Sequence, residues 1–330
     1  MTAPLEVTGA ESEARPEAVL QGQRRIEGRS LGRIAWMRLK RDKVAMLGAA
    51  VVLLLIVAAV FAPLIVSLLG HPPNEFHYDQ VSAERQIPIG PFGGMSRHYL
   101  FGVEPKNGRD LFSRIMYGAR ISLLIAFLAT LLSMVIGTAM GGIAGYFGGW
   151  VDAVISRLMD MFLAFPLLLF ALALAGVVPD RAFGLSGDAL RIALIVFIVG
   201  VVNWPYIGRV VRGQTLSLRR RDFVDAAISL GARSPYILFK EVLPNLVAPI
   251  LVYTTLLIPT NILFEAALSF LGVGVRPPQA TWGGMISDAV HWYQPDPWFM
   301  LWPGLAIFFT VLAFNLFGDG LRDALDPRSQ

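Results

Sequence analysis

Six long, mostly apolar stretches separated by polar segments set the outline of this chain, at about residues 44–69, 121–147, 154–178, 190–211, 246–273 and 298–317. At about 1.5 Å rise per residue, roughly twenty helical residues cross a hydrocarbon core of about 30 Å. In lipid only helices and closed barrels satisfy their backbone, and runs this long and continuous are helices. The sequence therefore predicts an all-α polytopic membrane protein with six transmembrane helices. The first run begins late and exceeds the roughly 7–15 apolar residues of a signal peptide, so it reads as a retained span. No repeat of 20–50 residues is evident.

The segments between the runs set the orientation. Residues 1–43 form a polar tail whose first twenty positions, rich in Glu, Ala and Pro, read as disordered. A basic cluster follows: Arg24, Arg25, Arg29, Arg33, Arg38, Lys40, Arg41 and Lys43. Residues 70–116 are a loop with many prolines and glycines, 213–245 a polar loop of helical character, and 321–330 a charged tail. Six spans place both termini on one side. With the 213–245 loop that side carries sixteen Lys and Arg, against seven on the other. Cytoplasmic loops carry the excess, so both termini and the 213–245 loop are expected in the cytoplasm. The 70–116 and 274–297 loops then face outward. Trp282, Trp292, Tyr293, Trp298 and Trp302 gather at the outer end of the sixth span, as in an interfacial aromatic belt.

Composition narrows the function. Of 330 residues 55% are hydrophobic and 16% charged, and the mean hydropathy is +0.58. These values argue against a disordered chain, a nucleic-acid-binding protein and a soluble enzyme. There is no cysteine, hence no disulfide and no thiolate nucleophile or ligand. His71, His77, His98 and His291 all lie outside the apolar runs, and no two have the i, i+4 spacing of a helical metal site, so no metal site is expected. No Gly-x-x-x-x-Gly-Lys-Ser/Thr loop is present to cradle phosphates. No catalytic residues and no cofactor bound by this chain are expected. If transport is ATP-driven, ATP and magnesium belong to separate partner chains.

The 213–245 loop is the most informative stretch. Asp222 is placed to cap a short helix containing Phe223, Val224, Ala227 and Ile228, which Gly231 ends. Ser234-Pro235 opens a second helix, and Pro244 opens the fifth span. Small residues at Ala226, Ala227 and Gly231 would admit a close partner. By pattern alone this hairpin serves equally as an amphipathic loop resting on lipid headgroups.

Its residues also resemble the EAA loop of ABC-transporter permeases, whose pattern is Glu-Ala-Ala, three residues, Gly, nine residues, Ile-x-Leu-Pro. Here Asp225-Ala226-Ala227, Gly231 and Leu243-Pro244 fall at that spacing. Asp225 replaces the usual Glu, and Glu241 stands at the Ile position with Val242 one step later. The resemblance continues through Gly108–Arg114, Tyr117–Leu123, Gly145–Asp152, Leu163–Pro166, Glu265–Gly272 and Gly318–Asp323, with the first span resembling the family's extra N-terminal segment. Over about residues 34–328 the chain is similar to the second permease subunit of dipeptide, oligopeptide and nickel importers. The resemblance implies a type I importer permease, with a core over 117–320 and a first span at 44–69. It also implies a heterodimer with a homologous permease, two cytoplasmic ATPase domains and an extracytoplasmic solute-binding protein, all at the cytoplasmic membrane. In that family the loop docks on the ATPase, which assigns Asp225, Ala226, Ala227, Gly231, Leu243 and Pro244 to coupling.

Other residues have a functional and a plainer reading. Gly137, Gly141 and Gly145 form a small-residue run suited to close helix packing, with gating as the alternative. Glu265 is an ionisable group inside the fifth span, a pathway candidate or a hydrogen-bonded packing residue. Pro205 should kink the fourth span. Arg157 and Asp160 are spaced to pair on one helix, and Arg209 and Arg212 to snorkel to the inner surface. No residue is singled out as contacting substrate. The expected function is translocation of a dipeptide, an oligopeptide or a related small solute. The alternatives are half of an ion-driven secondary carrier and a membrane assembly subunit without a pathway of its own.

Overall fold

The computed structural model describes residues 31–179 and 181–326. Arg24, Arg25, Arg29 and Arg328 lie outside the described residues. A short amphipathic helix α1 (Leu31–Arg41) leads into α2 (Lys43–Val60). Asp42 separates them and caps α2, its carboxylate accepting from the amides of Val44 and Ala45 at 2.9 and 3.0 Å. A turn at Phe61 leads to α3 (Ala62–Leu69). A layer of loops follows, held by isolated bridges between Val81 and Pro88 and between Val103 and Asp110.

The helical core then runs through α4 (Leu111–Phe147), α5 (Gly149–Ala164), α6 (Leu167–Val177) and α7 (Gly187–Leu218). A two-residue antiparallel ribbon, Arg181–Ala182 with Leu185–Ser186, joins α6 to α7. The remaining helices are α8 (Asp222–Ser229), α9 (Ser234–Phe270), α10 (Trp282–Ala289) and α11 (Pro297–Leu325). Among the described residues, five helices are long and apolar enough to cross a membrane: α2, α4, α7, α9 and α11.

The third expected span differs. Instead of one helix over 154–178, α5 and α6 meet at 82° around Phe165-Pro166, a bent pair that counts as a sixth span only when the two helices are taken together. Proline supplies no amide donor and disfavours helical dihedrals in the residue before it. Phe165 accordingly sits at φ −81°, ψ 125°, and the chain turns there. The fifth span also differs from expectation at its start. Its helix begins at Ser234 and runs unbroken past Pro244, because residues Ile237–Val242 widen into a π-turn. Leu243 then donates to the carbonyl of Leu238, five residues back. This wider turn absorbs the donor that Pro244 lacks.

Packing brings the ends of the chain together. α2 lies along α11, with Gly48 against Ala313 and Phe317, and Gly320 against Ala45. Arg38 Nη1 donates to the carbonyl of Asp326 at 2.9 Å. α9 lies beside α11, with Leu256 against Gly318 and Ile262 in one cluster with Ile307 and Phe314. The beginning of α9, and α8 with it, are therefore at the same end of the bundle as α1 and the end of α11. Residues 70–110 and 271–296 form the opposite end.

Candidate functional site

The hairpin at the first end begins where α7 stops at Leu218. Arg221, not Asp222, occupies the N-cap of α8, and no side chain caps it. Asp222 and Asp225 instead lie in the first turn, where negative charge suits the positive end of the helix dipole. Gly231 closes α8 at φ +80°. The amide of Ala232 donates to Ala227 O at 3.0 Å and that of Gly231 to Ile228 O at 2.9 Å. These are the paired bonds of a Schellman ending, in which glycine takes the left-handed conformation at no steric cost. Nothing within 4 Å would meet a Cβ on Gly231. Its requirement inside this chain is therefore conformational, and the space around it is open.

Val224, Ile237, Val242 and Leu246 anchor the hairpin in a buried cluster with Ile207 and Val211 of α7. The other face is bare. Phe223, Ile228, Leu230, Tyr236 and Phe239 are exposed, Leu230 at 88%. Asp222, Asp225, Ala226 and Pro244 are exposed beside them, and Ala227 and Leu243 are half-buried. The hairpin thus shows apolar and acidic side chains on a face that no described residue covers.

Behind the hairpin, α4 and α7 form the most extensive helix pair. Gly137 faces the carbonyl of Trp204 and the side chain of Ile207, Gly141 the carbonyl of Gly208, and Gly145 Thr215 and the carbonyl of Arg212. A methyl group at Gly137 would lie 2.7 Å from Trp204 O and one at Gly145 2.6 Å from Thr215 Cβ, too close for either to fit. Gly200 and Gly208 of α7 meet Leu132 and Met159 in the same way. Pro205 is buried within α7, whose helix continues through it.

The two arginines expected to snorkel bind carboxylates on α5. Arg212 grips Asp152 with two nitrogens, Nη2 donating to Oδ2 at 2.7 Å, and Arg209 Nη2 lies 2.6 Å from Asp160. Arg157 is also near Asp160, at 3.9 Å, but Arg209 is its closer partner.

Deeper in the bundle lies a polar chain that the sequence reading missed. Asn203 of α7 donates to Asn261 of α9 at 2.8 Å, and Asn261 donates to Thr130 of α4 at 2.8 Å. Ser133 donates to Gly200 O at 2.8 Å. Asn203 and Asn261 are buried. The available signal was an asparagine in each of two otherwise apolar runs, since amide side chains there bond across helices. Glu265 lies one turn further out on α9 and is fully enclosed. Its Oε1 accepts from Ser269 at 2.7 Å, while its Oε2 has no hydrogen-bond partner among the described residues. It is thus held by one hydroxyl close to the C-terminal end of its helix. Among the described residues, no three His, Asp or Glu side chains are grouped to hold a metal.

The loop layer is tied to α4 by charge. Glu104 is enclosed and lies 2.5 Å from both Arg109 Nε and Arg114 Nε. Arg114 reaches on to the carbonyls of Pro73 and Pro278 at 3.4 and 3.2 Å. Asp110 caps α4, accepting from Phe112 N at 3.1 Å, from Ser113 Oγ at 2.7 Å and from the amide of His71 at 3.0 Å.

Comparison with known proteins adds the following. Residues 137–330 match the family described as binding-protein-dependent transport system inner membrane component. Residues 30–88 match the N-terminal TM domain of oligopeptide transport permease C. The dipeptide transport system permease protein DppC of Alkalihalophilus pseudofirmus is 41% identical over 296 residues, 90% of each chain. The glutathione transport system permease protein GsiD of Pectobacterium atrosepticum is 40% identical over 293 residues, 89% of this chain and 90% of that one. A chain from inward-facing structures of the MetNI methionine ABC transporter has a similar fold. It matches with a TM-score of 0.51 and 17% identity, over 66% of this chain and 98% of that one.

Proposed function

The chain belongs to the binding-protein-dependent transport system inner membrane components, the permeases of ABC importers, and on that premise we propose that it carries short peptides across the cytoplasmic membrane as one of two homologous permease subunits. The names of its dipeptide and glutathione relatives support the substrate class. The bare apolar and acidic face of the 222–244 hairpin supports a docked partner at that end, and this observation carries the reading. The partner is a pair of ATPase domains, which hold the ATP and magnesium. An extracytoplasmic solute-binding protein delivers the peptide to the opposite end. No bond of the peptide is broken. ATP binding favours one of two arrangements of the ATPases, and the hairpins shift the spans between them.

Gly231→Glu tests this. Forcing a side chain into the left-handed conformation costs roughly 1–2 kcal/mol, and it places a charge on the docking face. ATP-dependent peptide uptake into cells or proteoliposomes is expected to be abolished while the variant still inserts in the membrane. Uptake at the unaltered rate would refute coupling through the hairpin.

A further inference from the structure

At the end of the bundle remote from the hairpin, a cavity of about 510 Å³ opens between residues 104–109 and the segment around Asp288. Its size falls within the roughly 300–1,000 Å³ of small-molecule pockets. Like them it has largely apolar walls, here Phe76, Trp292 and Phe299, and a few convergent polar groups.

Two of those groups are opposite in charge and incompletely used. Arg109 is only 7% exposed. Its Nε donates to Glu104 and its guanidinium lies 6.0 Å from the centre of the Phe76 ring. Among the described residues, its two terminal nitrogens make no hydrogen bond. Glu104 answers both Arg109 and Arg114, so two cations share one carboxylate and positive charge is left at the cavity wall. The terminal nitrogens of Arg109 border the cavity, where a bound anionic group can take the place of water. Asp288 lines the same cavity and is exposed at its mouth. Among the described residues it makes no hydrogen bond and no contact ion pair. The charges that act on it are Arg114, Arg109 and His291.

We propose that this cavity binds a small zwitterion, an amino acid or a short peptide with both ends unblocked. The forked nitrogens of Arg109 take the carboxylate, for which their geometry is suited, and Asp288 takes the ammonium. A plain cation would meet Arg109 and Lys106, and a dianion would meet Asp288 and Glu104. Only a ligand carrying both charges satisfies both walls. The proposal rests on the peptide-carrying function above and deepens it. The outer face of this subunit holds the solute by its termini, whatever its side chains.

The test is equilibrium binding of radiolabelled dialanine to the full chain, assembled with its partner permease and ATPases in nanodiscs without the binding protein. Saturable binding is expected, with N-acetyl-dialanine and dialanine amide each weaker by about tenfold or more. Asp288→Asn is expected to weaken dialanine by a similar factor and to leave N-acetyl-dialanine unchanged. Because Asp288 is exposed, the fold should tolerate this change, and co-elution with the partner chains checks that it does. Arg109→Lys keeps the charge and loses the fork, and should erase the preference for a free carboxylate. Binding by Asp288→Asn equal to the parent would overturn the proposal. So would absence of saturable binding in a complex that imports dialanine once the binding protein is added. A complex that binds dialanine through Asp288 yet imports no peptide would overturn the peptide-carrying function and leave the site standing.

Discussion

An acid enclosed by protein must be held by donors or lose its charge, and the buried acids of this chain meet that demand differently. Glu104 sits between two guanidinium groups, and Glu265 is held by the hydroxyl of Ser269. Asp296, just before α11, is 3% exposed and has less help. The amides of Trp298 and Phe299 favour its charged form, but burial outweighs them and lifts its pKa above the ordinary aspartate value. The folded chain therefore holds that proton to higher pH than the unfolded chain. Ionised Asp296 costs stability above the folded pKa, and the cost fades as pH falls to the ordinary value of about 3.9. Asp296→Asn is expected to melt at a higher temperature than the parent at pH 8, with the gap closing near pH 4. Melting of the detergent-solubilised protein across that range checks it, and a gap that widens toward low pH would refute the assignment. Single residues were unevenly legible. Glu265 stood out because a carboxylate in an apolar run has few explanations. Asn203 and Asn261 did not, since an amide gives no sign of its partner on another helix. The partners of Arg209 and Arg212 were not readable, because their carboxylates lie on α5, roughly fifty to sixty residues earlier.

Among elements, the seam between α4 and α7 is set by backbone proximity. Gly141 faces the carbonyl of Gly208 with no room for a side chain. Overpacking a tight contact costs about 1–3 kcal/mol. Gly141→Leu is expected to lower the melting temperature of the purified permease clearly, while Gly176→Ala, which meets nothing within 4 Å, stays close to the parent. Equal melting of the two variants would show that the seam is slack. The small-residue spacing on α4 was readable because i, i+4 positions share a helix face. Its complement on α7 was not, because Gly200 and Gly208 are eight residues apart with Trp204 between them. The bend between α5 and α6 escaped notice for a different reason. Hydropathy runs straight through Leu163–Phe170, and only the missing donor of Pro166 and the dihedrals of Phe165 mark the break.

For the whole molecule, the six apolar blocks and the resemblance of the 222–244 hairpin carried the fold class and the family. They carried nothing about the loop layer, whose form depends on pairings such as Glu104 with Arg114 between loop and helix. The absence of native cysteine allows the orientation to be read directly. Arg97→Cys is expected to react with an impermeant maleimide in intact cells or spheroplasts, and Ser229→Cys only after the membrane is opened. The reverse pattern would invert the assignment of sides. The unbroken helix from Ser234 to Phe270 has a mechanical consequence for such a molecule. It spans about 55 Å at 1.5 Å per residue, and Asn261 pins it to its neighbours about 40 Å from its first turn and about 14 Å from its last. That contact divides the helix into arms whose lengths differ about threefold. A tilt about that point would carry the foot about three times as far as the other end, and in the opposite direction.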